Sequence, residues 1–346
     1  MSRGAARRGE GRETEFRPSP DQLRLVPEVS GNAINGLGEP APRRPTPIYW
    51  HDPARLPHGR LMLWFRERSN APAIVERREA AIRASARVPP PVAERRVEAE
   101  PGEWAAAVKA EATSRGADAV GIARMRPEWV FEGYELDAPW VVVIAVEMDY
   151  GRLSEAPGVA SAVEVLDKYV KGTEVAHAVA AWIRERGWNA LPHGGPSAGP
   201  ALMIPAAIAA GIGELGKHGS LISRRFGASF RLACVFTDMP LVPDSPDSFG
   251  ADDFCANCRI CERACPPAAI LPEKQVVRGD LKWYVDFDRC VLYFNENNGC
   301  AICLAVCPWS RPGVAPRLAE KLTRRRERRR SGSGLTPAGG VGSVAR

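Results

Sequence analysis

Eight of the nine cysteines fall between residues 255 and 307, and their spacing limits what this part of the chain can become. The first run is C-x2-C-x2-C-x3-C-P, from Cys255 through Cys258 and Cys261 to Cys265 and Pro266. The second, DRCVLYFNENNGCAICLAVCPW, sets Cys290, Cys300, Cys303 and Cys307 ahead of Pro308. Two-residue spacings let successive thiolates wrap one cubane cluster, while the cysteine before the proline reaches a second cluster. Zinc sites use paired C-x2-C knuckles or histidines, and a third cysteine at x2 breaks that pattern. The proline suits its place because its amide is not needed and its fixed φ starts a helix. The expected sharing is Cys255, Cys258, Cys261 and Cys307 on one [4Fe–4S] cluster, with Cys265, Cys290, Cys300 and Cys303 on the other. Cys234, in the apolar stretch RLACVF, reads as a buried small hydrophobe.

At 346 residues the chain has room for two modest domains, and its 45% apolar and 25% charged residues are ordinary for a globular protein. No apolar run is long enough to span a bilayer, so no membrane span is expected. The net charge of +6 is a local property: residues 311–346 hold ten Lys or Arg against two Glu, a net +8. The basic stretch KLTRRRERRRSGSG reads as a solvated tail, with contacts to RNA or anionic lipid as the functional alternative. Arg7-Arg8 is followed by Gly, Glu, Arg and Thr rather than an apolar region, so the chain reads as cytoplasmic. Cysteines in that compartment serve metals or catalysis rather than a disulfide framework.

Composition divides the chain into five stretches. Residues 1–45, rich in Pro, Gly and Arg, read as a disordered arm, and 46–100 as an extended, wrapping segment. Over 101–248, helix patterns such as EWAAAVKAEATSRG and TEVAHAVAAWIRERG alternate with apolar runs such as WVVVIAVEM and ASFRLACVFTDMPL, which predicts a layered α/β domain. The cluster module occupies 249–312 and a basic disordered tail 313–346. The loop AGIGELGKHGS carries Gly211, Gly213, Gly216 and Gly219, where a backbone could approach a large flat ligand or simply turn tightly. It is not a dinucleotide fingerprint, because no strand precedes its glycines.

These residues carry a resemblance. The stretches GIGELGKHGSLIS, RLACVFTDMPL, KWYVDFDRC and CAICLAVCPW, with the first cysteine run, resemble the core of reductive dehalogenases over roughly residues 100–312. More distantly they are similar to epoxyqueuosine reductase. The resemblance implies a nitroreductase-like α/β domain holding cobalamin beside a bacterial ferredoxin-like dicluster module. It implies cofactor contacts from Gly211, Gly213, Gly216, Lys217, His218, Gly219 and Ser220. It implies a proton donor at Tyr169, with Arg231 as the nearby cation that eases loss of the phenolic proton. Packing roles, or an Arg231–Asp238 pair, are the plainer alternatives. The expected activity is reductive cleavage of a carbon–halogen or other carbon–heteroatom bond in a small organic substrate, with electrons from an external donor such as ferredoxin or flavodoxin. The alternatives are a ferredoxin-like carrier without cobalamin and a tRNA-modifying enzyme. Two departures stand out in PHGGPSAGP, which has glycine where the dehalogenases have asparagine and lacks the carboxylate of epoxyqueuosine reductase. There His193 is either a substitute polar contact or a surface residue.

Overall fold

The computed structural model describes residues 16–195 and 199–332, the side chains of 329–332 excepted. Residues 1–15, 196–198 and 333–346, and with them parts of the expected arm, of the HGGPS loop and of the tail, lie outside the described residues.

The arm expected to be disordered is structured over its described part, residues 16–45. Two short helices, α1 (Pro20–Leu23) and α2 (Gly31–Ile34), are capped by Ser19 and Ser30. Gln22 and Asn32 anchor them on the cluster module: Gln22 Nε2 donates to Glu296 at 2.8 Å, and Asn32 Nδ2 donates to Asp286 at 2.9 Å. The wrapping segment also holds helices, α3 (Gly59–Arg68) and α4 (Pro72–Ser85), the second started by Pro72.

The layered domain follows in the order α5 (Pro101–Ser114), β1 (Ala119–Arg124), β2 (Trp140–Glu147), α6 (Tyr150–Leu153), α7 (Val159–Arg184), β3 (Ala190–Gly194), α8 (Met203–Ala209), β4 (Glu214–Leu215), β5 (Leu221–Ile222) and β6 (Phe230–Thr237). The main sheet runs β1-β2-β6-β3, with antiparallel pairing throughout. The fold is thus mixed α/β, with the antiparallel order arising because β6 returns between β2 and β3. Continuous burial along β2 explains its unbroken apolar run. Val142, Ile144 and Val146 face α5 and α7, whereas Val141, Val143 and Ala145 face α8 and Phe230. Gly172 lets α7 approach the sheet, since a Cβ there would stand 3.2 Å from that of Ala233.

The cysteine module comprises α9 (Ala251–Asn257), α10 (Ile260–Arg263), the hairpin β7 (Gln275–Val277) and β8 (Asp280–Lys282), α11 (Phe287–Glu296) and α12 (Ile302–Ala305). The helix expected after Cys265 is a turn, and Cys307 leads into a single 3-10 turn at Pro308–Ser310. The basic tail is not disordered at its start: α13 (Val314–Gly332) buries Ala315 and Ala319 and packs Leu318 and Leu322 on the module. That core also includes Met148, Leu153 and Ile222, so the α/β domain and the cysteine module share apolar packing across residue 248.

Candidate functional site

Helices and turns gather the eight thiols into two sets. Cys255 lies on α9, Cys258 at its end, Cys261 on α10, and Cys307 comes back from beyond α12. Burial pushes the Cys307 thiol up to about 12, and the neighbouring Cys255, Cys261 and Cys258 raise it further. Burial likewise lifts Cys290 to about 12 beside Cys265 and Cys300. Cys303 is raised well above its ordinary value, first by burial and then by Cys300 and Cys290. Cys261 is a further neighbour of Cys303, so the two sets adjoin. None of the nine cysteines is in a disulfide. Among the described residues no three His, Cys, Asp or Glu side chains converge on a single-ion site. Buried thiols resist ionisation unless a cationic centre accompanies them, so this donor set fits iron–sulfur clusters.

The turn before α12 is bent hard. Asn298, Gly299, Cys300 and Ala301 all have positive φ, between 50° and 92°. Three of these are not glycine, a conformation that costs energy and persists only where the surroundings require it. It brings Cys300 to the wall of a cavity.

That cavity, of about 360 Å³, lies between α7, the α3–α4 pair and the cysteine module. Tyr169, from the middle of α7 rather than its start, shares it with Arg231 of β6, and with His218, Gly219 and Ser220. Cys290, Cys300 and Cys303, all of one thiol set, form part of its wall. The Arg231 guanidinium stands 5.8 Å from the centre of the Tyr169 ring. The alternative partner Asp238 is engaged elsewhere, accepting from Asn189 N at 2.7 Å and from its Nδ2 at 2.8 Å.

Three buried polar atoms on this wall have no protein partner: Ser69 Oγ, His218 Nε2 and Arg231 Nε. His218 Nδ1 accepts from Ser220 N at 3.2 Å, which leaves the proton on Nε2. Burial lowers its pKa to about 4, so the ring is neutral at neutral pH. Buried donors left unmatched are costly, and a polar ligand in the cavity would satisfy them. Arg66 and Arg78 also line it, and among the described residues no carboxylate does. The lining therefore fits a polar cofactor or substrate portion with acceptor groups and negative charge.

The glycine loop divides into two functions. Gly211, at φ +73, turns tightly against Ser245 O, and Gly213 abuts Ile222 O. A Cβ at Gly216 would stand 2.7 Å from the His218 ring, while only Gly219, also left-handed, reaches the cavity. Lys217 points into the cysteine module instead. It is 1% exposed, with Nζ 3.7 Å from Glu262 and 4.8 Å from the Trp283 ring centre. Burial and Cys258 raise the Cys261 thiol to about 11, and the charge of Lys217 opposes them. His193 lies on β3 opposite Cys234, its ring against Gly199, and is not among the cavity-lining residues. Cys234 is fully buried in β6.

Sequence reasoning missed two contributions. Trp50, Phe65, Arg66, Ser69 and Arg78 come from the stretch read as wrapping, and no motif marked them. Gly195 is the other: a Cβ there would lie 2.1 Å from Tyr169 Cδ1. The glycine noted as a departure in HGGPS thus makes space for the Tyr169 ring.

Residues 254–310 match the family described as 4Fe-4S dicluster domain. The tetrachloroethene reductive dehalogenase of Dehalobacter restrictus is 35% identical over 210 residues, covering 57% of this chain and 37% of that protein. The tetrachloroethene reductive dehalogenase of Sulfurospirillum multivorans is 28% identical over 262 residues, covering 62% of this chain and 52% of that protein. An epoxyqueuosine reductase of Leadbetterella byssophila is 34% identical over 118 residues, covering 29% of this chain and 34% of that protein. Among solved structures, a catabolic reductive dehalogenase superposes with a TM-score of 0.66 at 28% identity, covering 75% of this chain and 40% of that chain. A reductive dehalogenase whose description names B12-dependent dehalogenation gives 0.64 at 27%, covering 79% of this chain and 40% of that chain. The chain spans about half or less of the length of these relatives, and over that span it is similar in sequence and fold to reductive dehalogenases and carries a 4Fe-4S dicluster domain.

Proposed function

We propose that the chain is the core of a cobalamin-dependent iron–sulfur reductase of the reductive dehalogenase type. Its substrate is a small organohalide, and its electrons come from an external carrier in the cytoplasm, the compartment that suits nine unpaired cysteines. One observation carries the reading: a single cavity is lined both by Tyr169 and Arg231 and by Cys290, Cys300 and Cys303.

In this reading Cys255, Cys258, Cys261 and Cys307 hold one [4Fe–4S] cluster. Cys265, Cys290, Cys300 and Cys303 hold the one beside the cavity. His218, Gly219 and Ser220 would hold the corrinoid, with His218 Nε2–H and Ser69 Oγ available to its amide side chains. When bound, it supplies a cobalt centre reducing enough to cleave carbon–halogen bonds. Tyr169 holds a proton at Oη for the carbon that loses its halogen, and Arg231 stabilises the phenolate left behind. The aromatic wall, Trp50 and Phe65, keeps water away from the reacting carbon.

A carrier without cobalamin has no use for a cavity with three unmatched polar atoms, and the tRNA reading lacks its acidic donor. Anaerobic reconstitution, metal analysis and EPR test the proposal. The expected content is about eight irons, as two four-iron clusters, together with one cobalt. Half that iron, or no cobalt uptake by a protein with intact clusters, sinks it.

A further inference from the structure

Cys258, half-buried, lies at the surface and does not line the cofactor cavity. It lines a groove of about 670 Å³ between α9, α10 and α13 with Arg259, Ile260, Leu322, Arg325 and Arg326. Cys258 belongs to the thiol set that does not line the cavity. Ile260 is 44% exposed, a branched apolar side chain presented to solvent beside that thiol. The surrounding charge is basic. Residues 314–332 contain eight Lys or Arg and two Glu. Arg326 is held over the groove by Asp253, 3.1 Å away, and by Ser248. Among the described residues Arg325 and Lys321 have no acidic partner.

We propose that this groove is the docking site of an acidic one-electron carrier protein, which delivers its electrons at Cys258. The proposal rests on the reading that Cys255, Cys258, Cys261 and Cys307 hold a cluster. Transient redox partners use small interfaces, where complementary charge sets the encounter rate and a small apolar centre permits close approach. The groove has both, with a ligand thiol in its wall. An RNA backbone or an anionic bilayer would also be drawn to α13, but neither calls for an exposed isoleucine beside a half-buried thiol. The step is balanced without bond formation. The carrier is oxidised by one electron, the oxidised cluster at Cys258 takes that electron up, and any proton stays with the carrier.

The test uses the reconstituted holoprotein and the hydroquinone of an acidic flavodoxin, whose oxidation is followed by flavin absorbance in stopped flow. The variant is K321E/R325E, two side chains exposed on α13. The second-order rate constant should fall at least about tenfold at low salt and lose most of its ionic-strength dependence. Reduction by a photoreduced deazaflavin, a small reagent that needs no docking surface, should be unchanged, as should iron content and the EPR signals. Ile260→Asp should also slow the flavodoxin reaction and leave the deazaflavin reaction alone. Unaltered flavodoxin kinetics in both variants, with clusters present, overturn the proposal. The same follows if the double variant loses retention on RNA or anionic vesicles while flavodoxin still reacts at the full rate. Missing cluster signals in the parent protein would instead sink the reading beneath it.

Discussion

Gly195 and Tyr169 are in such close contact that the glycine has no room for a side chain: a Cβ would lie 2.1 Å from Tyr169 Cδ1 and 2.3 Å from Cε1. The atoms at risk belong to a ring, not to the free end of a flexible chain, so any substitution moves the aromatic plane. The end of β3 therefore fixes where the phenol of α7 points. Gly195→Ala should lower turnover by 10-fold or more, on the order of the penalty for misplacing a reacting group. Combining it with Tyr169→Phe should cost little beyond Tyr169→Phe alone, because both act on one group. A double-mutant cycle on turnover checks this, and fully additive losses would separate the two residues.

Tyr169→Phe removes one hydroxyl from a half-buried ring and leaves the packing of α7 intact. Turnover should drop by about 10²- to 10⁴-fold, the usual worth of a positioned proton donor. Iron, cobalt and melting temperature should match the parent protein. Arg231→Met should act differently, because its charge lies over the ring at 5.8 Å. Without it the phenolate left by proton donation is less favoured, so turnover should fall, and the same substitution should cost little more in the Tyr169→Phe background. A purely structural arginine would alter stability and lower turnover equally in both backgrounds.

The α/β domain was legible because its signals are local. Apolar runs and glycine stops marked β2, β6, α5 and the second half of α7 to within a few residues. Cysteine spacing likewise marked the eight thiols that come together in this module, because the spacing is local. What the sequence concealed depends on partners far away. Gln22 and Asn32 sit in a stretch with no periodicity, and their order comes from Glu296 on α11 and Asp286 at its cap, some 250 or more positions later. The helical start of the basic tail was readable in principle, because Val314, Leu318 and Leu322 recur at helical spacing, but the arginine run masked it. Lys217 was misplaced for a geometric reason. Within GKHGS adjacent side chains diverge, so His218 turns to the cavity and Lys217 to the cysteines.

His218 should make the fold sensitive to mild acid. Its folded pKa is lowered to about 4 by burial, whereas the unfolded chain takes up the proton near the ordinary value of 6.5. Between those values the unfolded state binds more protons, so stability is full above pH 6.5 and declines as pH falls toward 4. His58 and His177 are also lowered by burial and add to the slope in the same direction. Thermal unfolding of the metal-free protein should show a falling melting temperature across that window. His218→Gln should flatten the slope. If the slope is unaffected by the substitution, the acid sensitivity lies elsewhere.

Lys217 should separate the potentials of the two clusters. It is a buried cation beside Cys261, compensated only at 3.7 Å by Glu262, and the charge nearest Cys290 from outside its own set is the carboxylate of Asp286. A positive charge in a dry site favours the more negative, reduced form of whatever it faces. On the proposed ligand assignment, the cluster of Cys255, Cys258, Cys261 and Cys307 should thus have the higher potential, and the one at the cavity the lower. Lys217→Gln should lower the first potential and narrow the gap, while Lys217→Arg should largely preserve it. Glu262→Gln should shift the same cluster the other way, which keeps the expectation testable if Lys217→Gln folds poorly. Potentiometric EPR titration reads both couples at once. Equal movement of both, or none, in variants with full iron content would show that Lys217 serves packing against Trp283 and not the choice of where the electron rests.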